Sequence, residues 1–127
     1  MNTVSDGKTI NIFVVEDMQQ LVALHQRWID MVGWRCSCSL TGKEALKLFN
    51  SNSDFDIVIL DMVLPDISGA EVFEKIRKIR PDIPVIICSG YSEEMNRMTE
   101  EEQVAIVSKP FDIGELRSEV LRLVAGS

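Results

Sequence analysis

Five side chains in this chain could act together on a phosphoryl group: the acidic pair Glu16-Asp17, Asp61, Ser89 and Lys109. Each stands at the C-terminal end of a short apolar run, at residues 10–15, 57–60, 85–88 and 104–107. Three carboxylates gathered without a cation repel and raise one another's pKa. Mg²⁺ relieves this, because it takes hard oxygen ligands and keeps several waters. A lysine ammonium is a mobile point charge suited to phosphate, and a serine hydroxyl can donate to a phosphoryl oxygen. The set suits an aspartate nucleophile that takes a phosphoryl group while a metal and a lysine neutralise charge. Singly, each residue reads as an ordinary ion-pairing group at a strand end. Five of them at four strand tips favour the chemical reading.

Those tips need a scaffold. Residues 56–69 read Asp-Ile-Val-Ile-Leu-Asp-Met-Val-Leu-Pro-Asp-Ile-Ser-Gly. The aliphatic run 57–60 is short for a helix and predicts a strand buried on both faces. Pro65 and Gly69 mark a loop after it. In residues 18–32, Leu21, Leu24, Trp28 and Val32 recur at helical spacing, and Gly33 closes the helix. His25 falls near the edge of that stripe and reads as neither ligand nor base. In residues 34–40, Trp34, Cys36, Cys38 and Leu40 alternate with Arg35, Ser37 and Ser39, a strand with one wetter face near a sheet edge. Thr41 with Glu44, and Asp112 with Glu115, have capping-box spacing. The first opens a helix through Phe49. Helices are further predicted at 69–79, with Val72, Phe73, Ile76 and Ile79, and after Asp112, with Leu116, Val120, Leu123 and Val124. Residues 91–103 are Glu-rich, with few apolar anchors beyond Tyr91, Met95 and Met98.

Five strands alternating with five helical segments predict one α/β domain, a parallel sheet covered on both faces. Right-handed crossovers favour a doubly wound arrangement. Its strands all point one way, and ligands of such sheets bind at the carboxyl ends of the strands. The domain is expected over 10–125, after a flexible tail at 1–9.

The chain's 127 residues suffice for one core, and its hydrophobic fraction of 46% is that of a globular domain. A formal net charge of −7 argues against direct nucleic acid binding by this domain. No stretch has the length of a membrane span, and residues 1–9 lack an apolar signal core, so membrane insertion and secretion are not expected. Cys36, Cys38 and Cys88 lack disulfide or zinc spacing and read as reduced thiols of a cytoplasmic protein.

Together, Glu16-Asp17, the Asp61…Pro65-Asp66…Ser68-Gly69 stretch, Ser89 and the Lys109-Pro110-Phe111 run resemble the receiver domain of two-component response regulators. The resemblance covers residues 10 to about 124. It implies a flavodoxin-like fold with strand order 2-1-3-4-5, and phosphorylation of Asp61 by a histidine kinase or histidine phosphotransfer protein. It implies Mg²⁺ (or Mn²⁺) held by Asp17, Asp61 and the Val63 backbone carbonyl, with Glu16 acting through a metal-bound water. Lys109 would pair with Asp61 and then with the phosphate, Ser89 and Gly90 would meet the phosphoryl group, and the bond preceding Pro110 would be cis. Such a domain is a phosphoacceptor rather than an enzyme, with at most self-phosphorylation from small donors and slow autodephosphorylation.

This chain departs from the family pattern in three places. Glu16 stands where Asp is commoner, Ile106 stands where many relatives carry a switch aromatic, and the span from Ser89 to Lys109 is short. The run Ser89-Gly90-Tyr91-Ser92 resembles receivers attached to hybrid histidine kinases. With no ring at 106, Tyr91 is the expected moving aromatic, and ordering of 90–103 is the expected response. Two rivals are an Asp-nucleophile phosphohydrolase and a flavodoxin-like binding module that never takes phosphate. A hydrolase of the haloacid dehalogenase type needs a second Asp two residues after the nucleophile, where this chain has Val63. Fold alone would permit the binding module.

Overall fold

A computed structural model describes residues 9–52, 54–89 and 103–126. The elements run β1 (Asn11–Val15), α1 (Gln19–Val32), β2 (Arg35–Ser39), α2 (Gly42–Ser51), β3 (Ile57–Leu60), α3 (Gly69–Ile79), β4 (Val85–Ser89), β5 (Val104–Ser108) and α4 (Ile113–Ala125). The five strands form one sheet in the order β2-β1-β3-β4-β5, and every pairing is parallel. Val15 is in register with Leu60, Leu60 with Ile87, and Ser89 with Ser108. The residues that follow β1, β3 and β5 therefore emerge along one rim.

Strand alternation divides the core in two. Phe13, Val15, Val58, Leu60, Val85 and Ile87 face α2 and α3, where they meet Ala45, Phe49, Val72, Phe73 and Ile76. Ile12, Val14, Ile57, Ile59, Ile86 and Cys88 face α1 and α4, against Trp28, Ile29, Leu116, Val120 and Leu123. Phe13 stacks on Phe55 with centroids 4.4 Å apart, and Phe49 closes that aromatic group. Because β1, β3 and β4 are covered on both faces, their central residues are apolar in succession rather than alternating with polar ones.

The helix signals mark their ends well. Gly33 adopts the left-handed conformation (φ 94°) at the end of α1. Thr41 Oγ1 accepts from Glu44 N at 3.1 Å, while the Glu44 carboxylate reaches Leu40 N. Three expectations change. α2 extends past Phe49 to Ser51. Asp112 caps α4 through Gly114 N at 2.8 Å, one residue short of the capping-box position. Ser39 is 1% exposed and Leu40 is 38% exposed, the reverse of the alternation over 34–40. The strand ends at Ser39, whose carbonyl accepts from Glu16 N, so Leu40 lies beyond the pleat that would have turned it inward. Four helices stand among the described residues. The expected fifth segment between β4 and β5, with Gly90 and Tyr91, lies outside them. No helix among the described residues is long and apolar enough to cross a membrane.

Candidate functional site

The rim is built from the ends of β1, β3 and β5. Leu60 is fully buried, so Asp61, one residue on, reaches the rim from inside the domain and is only 5% exposed. Its backbone N–H still donates to Val15 O, which extends the β1–β3 ladder by one step. Glu16 follows β1 in the same way and is 2% exposed, whereas its neighbour Asp17 is exposed. Glu16, Asp17 and Asp61 can each bring a carboxylate oxygen within 4.8 Å of the other two.

Lys109 crosses to this cluster from the end of β5. Its Nζ lies 3.1 Å from Glu16 Oε1 and 3.3 Å from Asp61 Oδ2. The other oxygens are held as well: Val63 N donates to Asp61 Oδ1 at 3.2 Å, and Met18 N to Glu16 Oε2 at 3.1 Å. Lys109 precedes a cis peptide bond to Pro110. Phe111 then stacks on His25 of α1 at 5.1 Å, and His25 Nδ1 accepts from Trp28 Nε1 at 3.1 Å. The residue that sequence periodicity left at a helix edge is thus a core residue, 1% exposed, beneath the loop that carries Lys109.

Electrostatics follow from burial and charge count. Burial pushes the Glu16 carboxyl above its ordinary pKa; the Met18 N–H opposes this, the Asp61 charge adds to it, and Lys109 offsets it in part. For Lys109 burial acts downward, but the hydrogen bond and charge of Glu16, with the charge of Asp61, outweigh it and raise its pKa. Three carboxylates face one ammonium here, an excess of negative charge carried entirely by hard oxygen donors. That donor set fits a small divalent cation such as Mg²⁺.

Of the residues singled out from sequence, Glu16, Asp17, Asp61 and Lys109 come together. Val63 sits exposed just past Asp61. Ser89 ends β4 in register with Ser108, one residue before Lys109; its side chain, Gly90 and Tyr91 lie outside the described residues. Sequence reasoning missed the work of Asp66. This residue of the β3–α3 loop accepts from Gly42 N and Lys43 N, both at 2.8 Å, and from Ile67 N at 2.9 Å. It thereby ties the loop after Asp61 to the start of α2. Ser68 was missed as the N-cap of α3, although its spacing to Glu71, whose N–H it accepts at 3.1 Å, could have revealed it.

Residues 12–121 match the family model described as response regulator receiver domain. The chain is 33% identical over 84 residues to the response regulator SaeR of Staphylococcus epidermidis, an alignment covering 66% of this chain and 36% of that protein. It spans about a third to a half of the length of the curated relatives it matches. Among solved structures, the receiver domain of the Francisella response regulator 1452 superposes with a TM-score of 0.83 at 26% identity, covering 92% of this chain and 98% of that one. The receiver domain of the hybrid histidine kinase CckA gives 0.77 at 27% identity, covering 90% and 98%. With its parallel sheet in the order 2-1-3-4-5, its acid cluster at the strand tips and a family match across most of its length, the chain belongs to the response regulator receiver domain family of two-component systems.

Proposed function

We propose that this chain is a phosphorylation-dependent switch in which Asp61 accepts a phosphoryl group from a histidine kinase or a histidine phosphotransfer protein. The observation that carries the reading is the buried Asp61 carboxylate, with Lys109 on one oxygen, the Val63 N–H on the other, and two further acids beside it. An Asp61 oxygen forms the new O–P bond as the donor's N–P bond breaks, and the electron pair leaves with the imidazole. Lys109 is a quarter exposed, so it can meet an incoming phosphoryl oxygen. Glu16 also pairs with this ammonium and keeps it at the site as Asp61 changes from carboxylate to acyl phosphate.

Asp17 and Asp61, with the Val63 carbonyl, would hold Mg²⁺, and Glu16 would reach it through water. When bound, the ion supplies positive charge to offset the phosphoryl oxygens. Ser89 and Gly90 would receive the phosphoryl oxygens at the tip of β4. The domain then acts on an output partner rather than on a substrate, in a cytoplasmic setting. The relatives named as response regulators and as a hybrid kinase receiver support a histidine donor. A hydrolase is disfavoured because Val63 stands where an acid/base Asp is needed.

Acetyl phosphate with Mg²⁺ should add one phosphoryl group to the wild type, seen by intact mass, and none to Asp61→Ala. Equal labelling of both chains would overturn the assignment of Asp61. Rapid release of phosphate with turnover, in place of a trapped acyl phosphate, would favour the hydrolase.

A further inference from the structure

Away from the acidic rim, the edge strand β2 carries two thiols in contact. Cys36 and Cys38 are free, half-buried, and their Sγ atoms lie 3.6 Å apart. They share a strand face because they are two residues apart. Gln26 Nε2 of α1 reaches Cys38 Sγ at 3.5 Å. An open depression of about 600 Å³ runs up to Cys36, lined by Gln26, Arg27, Asp30, Trp34 and Arg35. Cys36 therefore has a route to solvent.

Two bonds fix the phase of the strand. Arg35 N donates to Ile10 O, and Ser39 O accepts from Glu16 N. Arg35 and Ser39 thus direct their backbone groups toward β1, and the intervening cysteines direct theirs to the free edge. Neither cysteine holds a ladder bond that a ligand would have to break.

A disulfide fits this geometry poorly. Residues two apart on a strand stand about 6.6 Å apart, at the long end of the roughly 4.4–6.8 Å that disulfides span between Cα atoms, so a bridge would have to pull the extended backbone together. A bridging ion needs much less. Two sulfurs each about 2.3 Å from one tetrahedral ion stand about 3.8 Å apart, close to the 3.6 Å observed. We propose that Cys36 and Cys38 form a two-sulfur site for a thiophilic divalent cation of the Zn²⁺ or Cd²⁺ class, with its remaining positions open to solvent or added ligands. The soft donors separate it from the all-oxygen rim, which suits hard cations. On binding, two S–H bonds break, two metal–sulfur bonds form and two protons pass to solvent, so affinity rises with pH.

The test is a Cd²⁺ titration of the fully reduced chain, read by sulfur-to-cadmium charge-transfer absorbance. One equivalent should saturate the band, excess Zn²⁺ should displace it and excess Mg²⁺ should leave it intact. Cys36→Ser and Cys38→Ser should each weaken binding at least tenfold, and Cys88→Ala should not. Independently of those variants, bound Cd²⁺ should protect Cys36 and Cys38 of the wild type from alkylation, as mapped by mass spectrometry. No band, a band that survives either serine change, loss to Mg²⁺, or alkylation of both cysteines despite Cd²⁺ would each overturn the proposal.

Discussion

His25 shows how one buried side chain sets a pH limit on the domain. It is packed under Phe111 and accepts a hydrogen bond from Trp28, so it is held neutral. Burial, with a smaller contribution from the Lys109 charge, lowers its pKa from 6.5 to about 4. A depressed pKa means that the unfolded chain binds the proton first. The stability tied to neutral His25 is complete above pH 6.5 and is lost as the pH falls toward 4. By pH 4.5 the loss amounts to about 2.5 kcal/mol. Urea unfolding of wild type and His25→Gln at pH 7 and pH 4.5 measures it: the variant should lose less stability between the two pH values by about that amount. An equal loss in both proteins would show that His25 is not the group responsible.

At the scale of elements, the loop between β3 and α3 is fixed by two features at its ends. Asp66 accepts from the first amides of α2, where the helix leaves its N–H groups without intrahelical partners. The Lys43 N–H leads, ahead of those of Gly42 and Ile67, in holding the Asp66 carboxyl down at about 2. This contribution is therefore present above pH 3.8 and lost as the pH falls through about 2. Asp66→Ala should speed amide exchange at Gly42 and Lys43 at neutral pH; unchanged exchange there would mean that the loop does not cap α2. At the other end, Gly69 N donates to Met62 O at 2.8 Å. A Cβ at Gly69 would lie 2.5 Å from Met62 Cα and also press on the Asp61 carbonyl. Only backbone movement relieves such a clash, so Gly69→Ala should cost about 1–3 kcal/mol in urea unfolding. It should also slow labelling of Asp61, whose backbone it displaces. Wild-type stability and labelling in that variant would show that the loop yields freely.

For the whole molecule, an ion bound only by the folded chain raises its stability by mass action. At tenfold and hundredfold excess over Kd the gain is about 1.4 and 2.7 kcal/mol, worth roughly 4 °C per kcal/mol for a domain of this size. Mg²⁺ should therefore raise the thermal midpoint of the wild type by several degrees. Asp17 is exposed, and the Glu16–Lys109–Asp61 pairing does not run through it. Asp17→Asn should abolish the Mg²⁺ shift while leaving the metal-free midpoint within about a degree of wild type. A full Mg²⁺ shift in the variant would place the ion on other ligands.

Most of the secondary structure was legible in the chain because it obeys short-range rules. Helical stripes repeat at three and four residues, strands buried on both faces are apolar in succession, and Gly33 and Thr41 mark ends through their own backbone and side-chain chemistry. The acids Glu16, Asp17 and Asp61 could be placed on one rim for the same reason, since parallel strands share a direction. Strand order came from family resemblance, because the apolar runs that become β1, β3 and β4 carry no label of their neighbours. Only the tertiary structure decided which groups touch. Lys109 bridges to Glu16 across 93 positions, and Asp66 reaches back 24 residues to Gly42. His25 went into the core because Phe111 arrives from the far end of the sheet to cover it. Ser39 and Leu40 exchanged exposure because the strand stops where its last carbonyl meets Glu16. Such contacts depend on how the packed sheet brings distant segments together, and no pattern within a few residues encodes that distance.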